Sequence, residues 1–208
     1  MAYAKLCIPA IACAALLSSA ALAADTSFDC SKATQKIEKL VCGDDQLAGL
    51  DRTLADDFDK AMGQISADDQ KELRESQSAW IKSRDACAKE QDQKACTLQS
   101  YKTRIAILGA KYGLAPMGTG TFLFTCDDAA KTSFYATFFV TDPATMNLVT
   151  RPPMPEQAET LVQGMSASGA RYEGKGGIVF WNKGNDAMVE YPAGTEFNCS
   201  TDGQPIGE

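Results

Sequence analysis

Apolar residues at Leu47, Leu50, Leu54, Phe58 and Met62 recur at steps of three and four, which places them on one stripe of a long helix. A second helix is predicted from Ala67 to about Cys87. It carries Leu73, Gln77, Trp80, Ile81 and Arg84 along one side, with Ser66 or Asp68 as its cap. A further helix follows Cys96, with Tyr101, Ile105, Leu108 and Tyr112 as its stripe; Gly113 ends it and Pro116 bars continuation. With a short segment before Cys42, these elements make a compact four-helix unit.

At Gly113-Leu-Ala-Pro-Met-Gly-Thr-Gly120 the helical period stops and β-type composition begins. This passage separates a helical domain, 24–113, from a second domain, 121–208, with 114–120 as linker. Short β-branched and aromatic runs follow, from Thr121 to Cys126, Ser133 to Val140, Met146 to Val149, Thr160 to Val162, Ile178 to Trp181 and Ala187 to Tyr191. Such runs separated by turns predict an all-β antiparallel domain. Closing it into a small barrel removes exposed edges and gives Phe138, Val140, Leu148 and Phe180 an interior to fill. The expected architecture is therefore two domains, an all-α unit followed by an antiparallel β-barrel.

Two polar loops stand out within the β region. In Ser166-Ala-Ser-Gly-Ala-Arg-Tyr172, Gly169 permits a tight turn with Ser168 at its shoulder. Glu173-Gly-Lys-Gly-Gly177 joins this strand-like run to Ile178-Val-Phe-Trp181, which delivers Lys183 to a turn closed by Gly184. Ser168 and Lys183 are thereby expected to face the same solvent.

Residues 1–23 read as a secretory leader. Lys5 supplies the positive region, Leu6 to Leu17 is largely apolar, and Ala21-Leu-Ala23 is a cleavage signal after which the mature chain begins. Pro9, Ser18 and Ser19 interrupt the run of roughly 20 apolar residues that a membrane anchor requires. Losing Cys7 and Cys13 with the leader leaves Cys30, Cys42, Cys87, Cys96, Cys126 and Cys199, an even number in an exported chain, for which disulfides are the natural state. Cys87 and Cys96 can close an inter-helix loop. Cys30 and Cys42 would stand roughly 16 Å apart on an unbroken helix, too far to bridge, so either that helix starts later, near Thr34, or the pairs cross. Cys126 and Cys199 lie near the two ends of the β domain, where a bridge would tie the first strand to the last and contribute roughly 4 kcal/mol on the chain-entropy model.

The chain has no His. That removes Ser-His-Asp and Cys-His nucleophiles, the H-E-x-x-H proteases and the commonest zinc partner together, and no C-x-x-C motif replaces it. Ser168 then lacks a conventional base; a Ser-Lys hydrolase would need Lys183 desolvated, whereas a Gly-rich surface loop leaves it solvated and charged. Adjacent carboxylates at Asp56-Asp57 and Asp68-Asp69 point about 100° apart on a helix, so they read as solvated surface. No metal, no cofactor and no catalytic residue is expected. Removal of Lys5 takes the net charge from −7 to −8, which disfavours nucleic acid.

The motifs S-A-S-G-A-R-Y and F-W-N-K-G-N-D-A, with Phe124-Thr-Cys126 before them and Cys199 after, resemble the membrane-bound and periplasmic inhibitors of C-type lysozyme, the MliC family. That resemblance implies a β-barrel that puts Ser168 and Lys183 into a lysozyme cleft, with Gly169, Tyr172 and Gly184 completing the binding motifs. A lysozyme cleft holds two carboxylates, which an ammonium and a hydroxyl donor complement. The helical half carries Phe28-Asp-Cys30, Ile37-Glu-Lys-Leu-Val-Cys42, Leu50-Asp51, Gln77-x-x-Trp80, Arg84-Asp85-x-Cys87, Cys96 and Arg104-Ile105, and resembles the LprI-type domain, a family that includes a lysozyme inhibitor.

The resulting expectation is a non-enzymatic periplasmic inhibitor whose partner is a C-type lysozyme. Lipid-anchored relatives carry a Cys directly after the leader; here apolar sequence continues past Cys13 to Ala24, which favours a soluble form without stable membrane insertion. Many lysozymes are strongly basic, so an acidic inhibitor would be steered to them. The competing class is an envelope binding or structural module that engages peptidoglycan or another protein without inhibition.

Overall fold

The computed structural model describes residues 25–192 and 194–206; the leader expected over residues 1–23 lies outside them. Four helices lead the chain: α1 (Lys36–Cys42), α2 (Asp45–Gln64), α3 (Ala67–Asp85) and α4 (Gln93–Lys111). Each start has a local cause. The Glu38 carboxylate accepts the main-chain N–H groups of Thr34 and Gln35 ahead of α1, Asp44 accepts from Gln46 and Leu47 at α2, Ser66 Oγ accepts from Asp69 at α3, and Asp92 accepts from Ala95 at α4.

The late start of α1 settles the first cysteine pair. Cys30 sits in a separate 3₁₀ turn, Cys30–Lys32, and the chain doubles back so that Cys30 and Cys42 are bridged at a Cα separation of 5.8 Å. Cys87 bridges Cys96, and Cys126 bridges Cys199. α3 stops at Asp85 and gives way to a 3₁₀ turn, Ala86–Lys89, that carries Cys87; α4 begins three residues before Cys96 rather than after it. Ile81, placed by periodicity on the inner side of α3, is exposed.

Ile37, Val41, Leu47, Leu54, Leu73, Tyr101 and Leu108 fill the helical core. Through it runs a polar chain: Arg84 Nη1 donates to the Tyr101 hydroxyl (2.9 Å), which donates to Asp51 Oδ1 (2.9 Å), and Asp51 Oδ2 accepts the main-chain N–H of Ser27 (2.7 Å). Arg84 Nη2 also reaches Asp85 Oδ1 at 2.8 Å. Trp80 packs edge-on against Tyr101, with centroids 5.1 Å apart, and the Arg84 guanidinium lies over its indole. A buried guanidinium and a buried carboxylate are thus joined through one phenol, as groups in a low-dielectric core must be.

The second domain is a closed antiparallel barrel of eight strands in chain order: β1 (Met117–Cys126), β2 (Ser133–Phe139), β3 (Thr145–Thr150), β4 (Ala158–Gln163), β5 (Ala170–Glu173), β6 (Val179–Lys183), β7 (Asp186–Tyr191) and β8 (Thr195–Ser200). Alternate positions face inward, so Phe124, Phe134, Ala136, Met146, Leu148, Leu161, Tyr172, Phe180, Ala187, Val189 and Cys199 form one core. β1 begins inside the stretch expected as linker. β8 escapes the hydrophobic pattern because only Phe197 and Cys199 turn toward the interior, the rest of the strand being exposed. Val140 is a correction: β2 ends at Phe139, the Val140 N–H bonds the carbonyl of Pro116 outside the barrel, and the side chain is 65 % exposed.

The helical unit rests on the barrel through α4, which packs against β3 and β4. Asn147 Nδ2 donates to the carbonyl of Ala110 (3.0 Å), and Lys102 pairs with Asp142 (2.8 Å).

Tyr101→Phe removes the hydroxyl that satisfies both Arg84 and Asp51, and is expected to cost about 1–3 kcal/mol, read as a lower urea midpoint at unchanged slope. Burial pushes the Tyr101 phenol above its ordinary value, with Arg84 opposing and Asp51 adding to the shift. The contribution is therefore complete below the ordinary phenol pKa of 10.0 and is lost as pH rises beyond it, so the variant's deficit should shrink in alkaline urea titrations.

Candidate functional site

β5 and β6 pair with Ala170 opposite Asn182 and Tyr172 opposite Phe180, and the loop before β5 folds across the end of β6. Gly169 makes that approach possible. Its φ is +69°, and a Cβ there would stand 2.3 Å from the carbonyl oxygen of Asn182 and 3.3 Å from Lys183 Cβ. Only a residue without a side chain lets the Ser168 loop lie against the β6 end that carries Lys183.

Two hydrogen bonds fix the loop. The carbonyl of Ser168 accepts from Trp181 Nε1 (2.8 Å) and from Ser166 Oγ (2.7 Å). With its main chain held this way, the exposed Ser168 hydroxyl makes no hydrogen bond among the described residues.

Lys183 is paired with Asp186 in register and ends β6 at a two-residue hairpin, Gly184–Asn185. Gly184 has φ +62°, the positive value that the first residue of a type II′ hairpin turn requires. The carbonyl of Asn185 accepts the Thr201 N–H at 2.9 Å, bracing the hairpin against the C-terminal segment. Lys183 is exposed and makes no ion pair among the described residues.

Both residues line one open cleft of about 760 Å³ where the barrel closes. The Cys126–Cys199 pair contributes to its lining, with Trp181, Asp186 and Met188 from the β6–β7 hairpin. The cleft offers donors, the Ser168 hydroxyl and the Lys183 and Lys131 side chains, beside the Asp127 and Asp186 carboxylates, and no imidazole exists to act as base. Among the described residues no group of three or more His, Cys, Asp or Glu side chains could hold a metal.

Of the five residues expected at the contact surface, Ser168, Gly169, Lys183 and Gly184 lie at this cleft or in the two turns that form it. Tyr172 does not. It is buried in the barrel core against Phe138, with centroids 5.7 Å apart, and burial pushes its phenol above its ordinary value. Inward-facing on a strand only four residues long, it packs β5 onto the barrel core.

Three residues of this surface were not singled out from the sequence as contact groups. Lys131 lines the cleft from the β1–β2 turn, at φ +51°, in a loop that Asp128 holds by accepting the N–H groups of Ala130 and Thr132 and the Thr132 hydroxyl. The Asp127-Asp128 pair was the available signal, because Asp readily nucleates such turns. Met165, 97 % exposed, precedes Ser168 in the same loop, and Trp181, 38 % exposed, bonds the Ser168 carbonyl. A lone Met in a polar run has no periodicity to mark it.

The helical unit and the barrel each match a family of lysozyme inhibitors. Residues 124–198 match the family described as membrane-bound lysozyme inhibitor of c-type lysozyme, MliC, and residues 30–108 match lysozyme inhibitor LprI. Lipoprotein LprI of Mycobacterium bovis and that of Mycobacterium tuberculosis are each 32 % identical to this chain over 184 residues, covering 86 % of this chain and 85 % of the relative. The chain belongs to the LprI family. No solved structure matches it.

Gly169→Ala is expected to cost about 1–3 kcal/mol from the left-handed backbone, with the Asn182 carbonyl clash added, at this one position. Because the loop is tied to the Trp181 indole, the change should appear both as a lower urea midpoint and as altered Trp181 emission. An unchanged midpoint and spectrum would contradict the close approach.

Proposed function

We propose that this protein inhibits C-type lysozyme by inserting the Ser168 loop and the Lys183 hairpin into the enzyme's active-site cleft. The observation that carries this reading is the convergence of the two donors: Ser168 and Lys183 come from different turns, share one cleft, and are exposed without side-chain partners among the described residues. The two inhibitor families matched by the chain supply the class of partner.

The chemistry is complementary. A lysozyme cleft presents a protonated and an ionised carboxyl group, and an ammonium beside the ionised one with a hydroxyl bonded to either forms charge-assisted contacts in a partly dry site. Half-exposed Trp181 lines the same cleft and supplies an apolar anchor of the kind protein interfaces favour. An acidic chain is drawn to a basic enzyme, which raises the encounter rate. Lys183 is exposed and the chain has no imidazole, so in this reading the pair acts by occupancy and not by turnover.

An envelope location fits the leader and the relatives' names, which describe a membrane-bound inhibitor and a lipoprotein. Among the described residues no helix is long and apolar enough to cross a membrane. We place the mature chain in the periplasm, with the leader removed after Ala23.

The test is a titration of purified mature protein into a C-type lysozyme, following lysis of a cell-wall suspension. Lys183→Ala and Ser168→Ala should each weaken inhibition by about 30-fold or more, since truncating one partner of a buried charged contact costs roughly 2–5 kcal/mol. Lys183→Glu should weaken it further, and none of the three should move the urea midpoint appreciably. Full inhibition by the double alanine variant, with an unchanged urea midpoint, would overturn the insertion of these two loops.

A further inference from the structure

The groove between the helical unit and the barrel contains a charge that the protein leaves uncompensated. Arg104, on the buried side of α4, is 8 % exposed. Its Nε donates to Gln77 Oε1 (2.9 Å) and its Nη2 to Ser76 Oγ (3.0 Å), both neutral acceptors on α3. Among the described residues it forms no ion pair, and Nη1 makes no hydrogen bond. The sole buried side-chain polar atom without a partner among those residues is Asn182 Oδ1, in the other half of the molecule, so Arg104 Nη1 keeps an opening. That opening is a cleft of about 600 Å³, walled by α3 and α4 on one side and by β3, β4 and the β5–β6 turn on the other.

A guanidinium with only neutral partners in a nearly closed site is costly, and the nearby acids do not relieve it. Glu72 pairs with Lys111 at 3.3 Å, Glu173 pairs with Arg171, and Glu159 accepts the main-chain N–H of Lys175 at 3.0 Å. Burial depresses the Arg104 pKa, the direction expected when no carboxylate faces the group. By contrast Arg84, one helix over, is joined to both Asp85 and the Tyr101–Asp51 chain.

We propose that this inter-domain cleft binds a small organic monocarboxylate, an amino acid or short peptide with a free carboxyl terminus, whose carboxylate docks on Arg104. The cleft has the size of a small-molecule site, and its apolar lining from Leu73, Ile107 and Val162 suits an organic body. Its lining carries Glu72, Glu159 and Glu173 against Arg104, Lys111 and Lys175, and this absence of excess positive charge suits one carboxylate rather than a multiply charged anion. Glu159, on the barrel wall and outside any ion pair, also lines the cleft and offers a free amine a carboxylate. The site is separate from the seam cleft, so it stands or falls independently of lysozyme inhibition.

The test uses the full mature chain and three probes: L-alanyl-L-alanine, its C-terminal amide, and inorganic phosphate. Nitrogen-15 NMR of the Arg104 Nε–H reads the site directly, without a substitution. Saturable movement of that resonance with the dipeptide, binding about 30-fold or more weaker for the amide, and none for phosphate is the expected result. Ala158→Trp, at an exposed rim position, should block the dipeptide while leaving lysozyme inhibition intact. Arg104→Gln should abolish binding; where it fails to fold, the Arg104 resonance and the Ala158→Trp variant still decide. An Arg104 signal unmoved by the dipeptide overturns the proposal, as does equal binding of the amide or of phosphate.

Discussion

Closure of the barrel is the constraint on which the rest depends. β1 and β8 meet through only two residue pairs, Thr125 with Ser200 and Cys126 with Cys199, whereas β1 and β2 run paired over most of their length. So short a seam has few main-chain hydrogen bonds to hold it. The disulfide lies at that seam, with its cysteines 73 residues apart in sequence. A closed loop of this size removes enough unfolded-state entropy to contribute about 4 kcal/mol. The candidate site is built on the same seam, with the two cysteines in its lining and the Lys183 hairpin braced by the segment just after β8. The Lys183 hairpin is thus held from the seam side, while the Ser168 loop is tied to β6 through the Trp181 indole.

Legibility in the sequence tracked how completely one physical rule governed each position. The stripes that carry Leu47 and Leu54 on α2 and Leu108 on α4 each obey one helical period and were readable. So were the stop near Gly113 and a cap at Ser66 or Asp68, which the structure gives to Ser66. Val140 obeys the strand alternation too, yet β2 ends one residue earlier because Val140 bonds Pro116; a pattern of polarity contains no term for where pairing stops. β8 was silent because two inward residues make no periodic signal. The Cys30 partner turned on a helix start that Glu38 sets by folding back on Thr34 and Gln35.

At the site, the motif and the geometry separate. Ser168, Gly169, Lys183 and Gly184 could be grouped from resemblance, but the reason for Gly169 required coordinates: the Asn182 carbonyl stands where its side chain would be. Tyr172 belongs to the same motif and does the opposite job, holding β5 from inside. A motif therefore mixes exposed residues with residues that hold them in place, and spacing alone cannot sort them. Lys131 shows the reverse case, a surface cation with no motif that the β1–β2 turn brings to the cleft.

The strand order also explains how two domains coexist without interference. In a closed barrel running β1 to β8, the β8–β1 seam lies across the barrel from the middle strands, and α4 packs on β3 and β4. None of the described helix residues lines the cleft that holds Ser168 and Lys183, so that cleft stays open. That arrangement asks α4 to serve two interiors, with Tyr101 facing the helical core while Asn147 of β3 bonds the Ala110 carbonyl at its end. Arg104 sits between these duties on the same helix, at the point where neither core encloses it fully and the domain junction stays open.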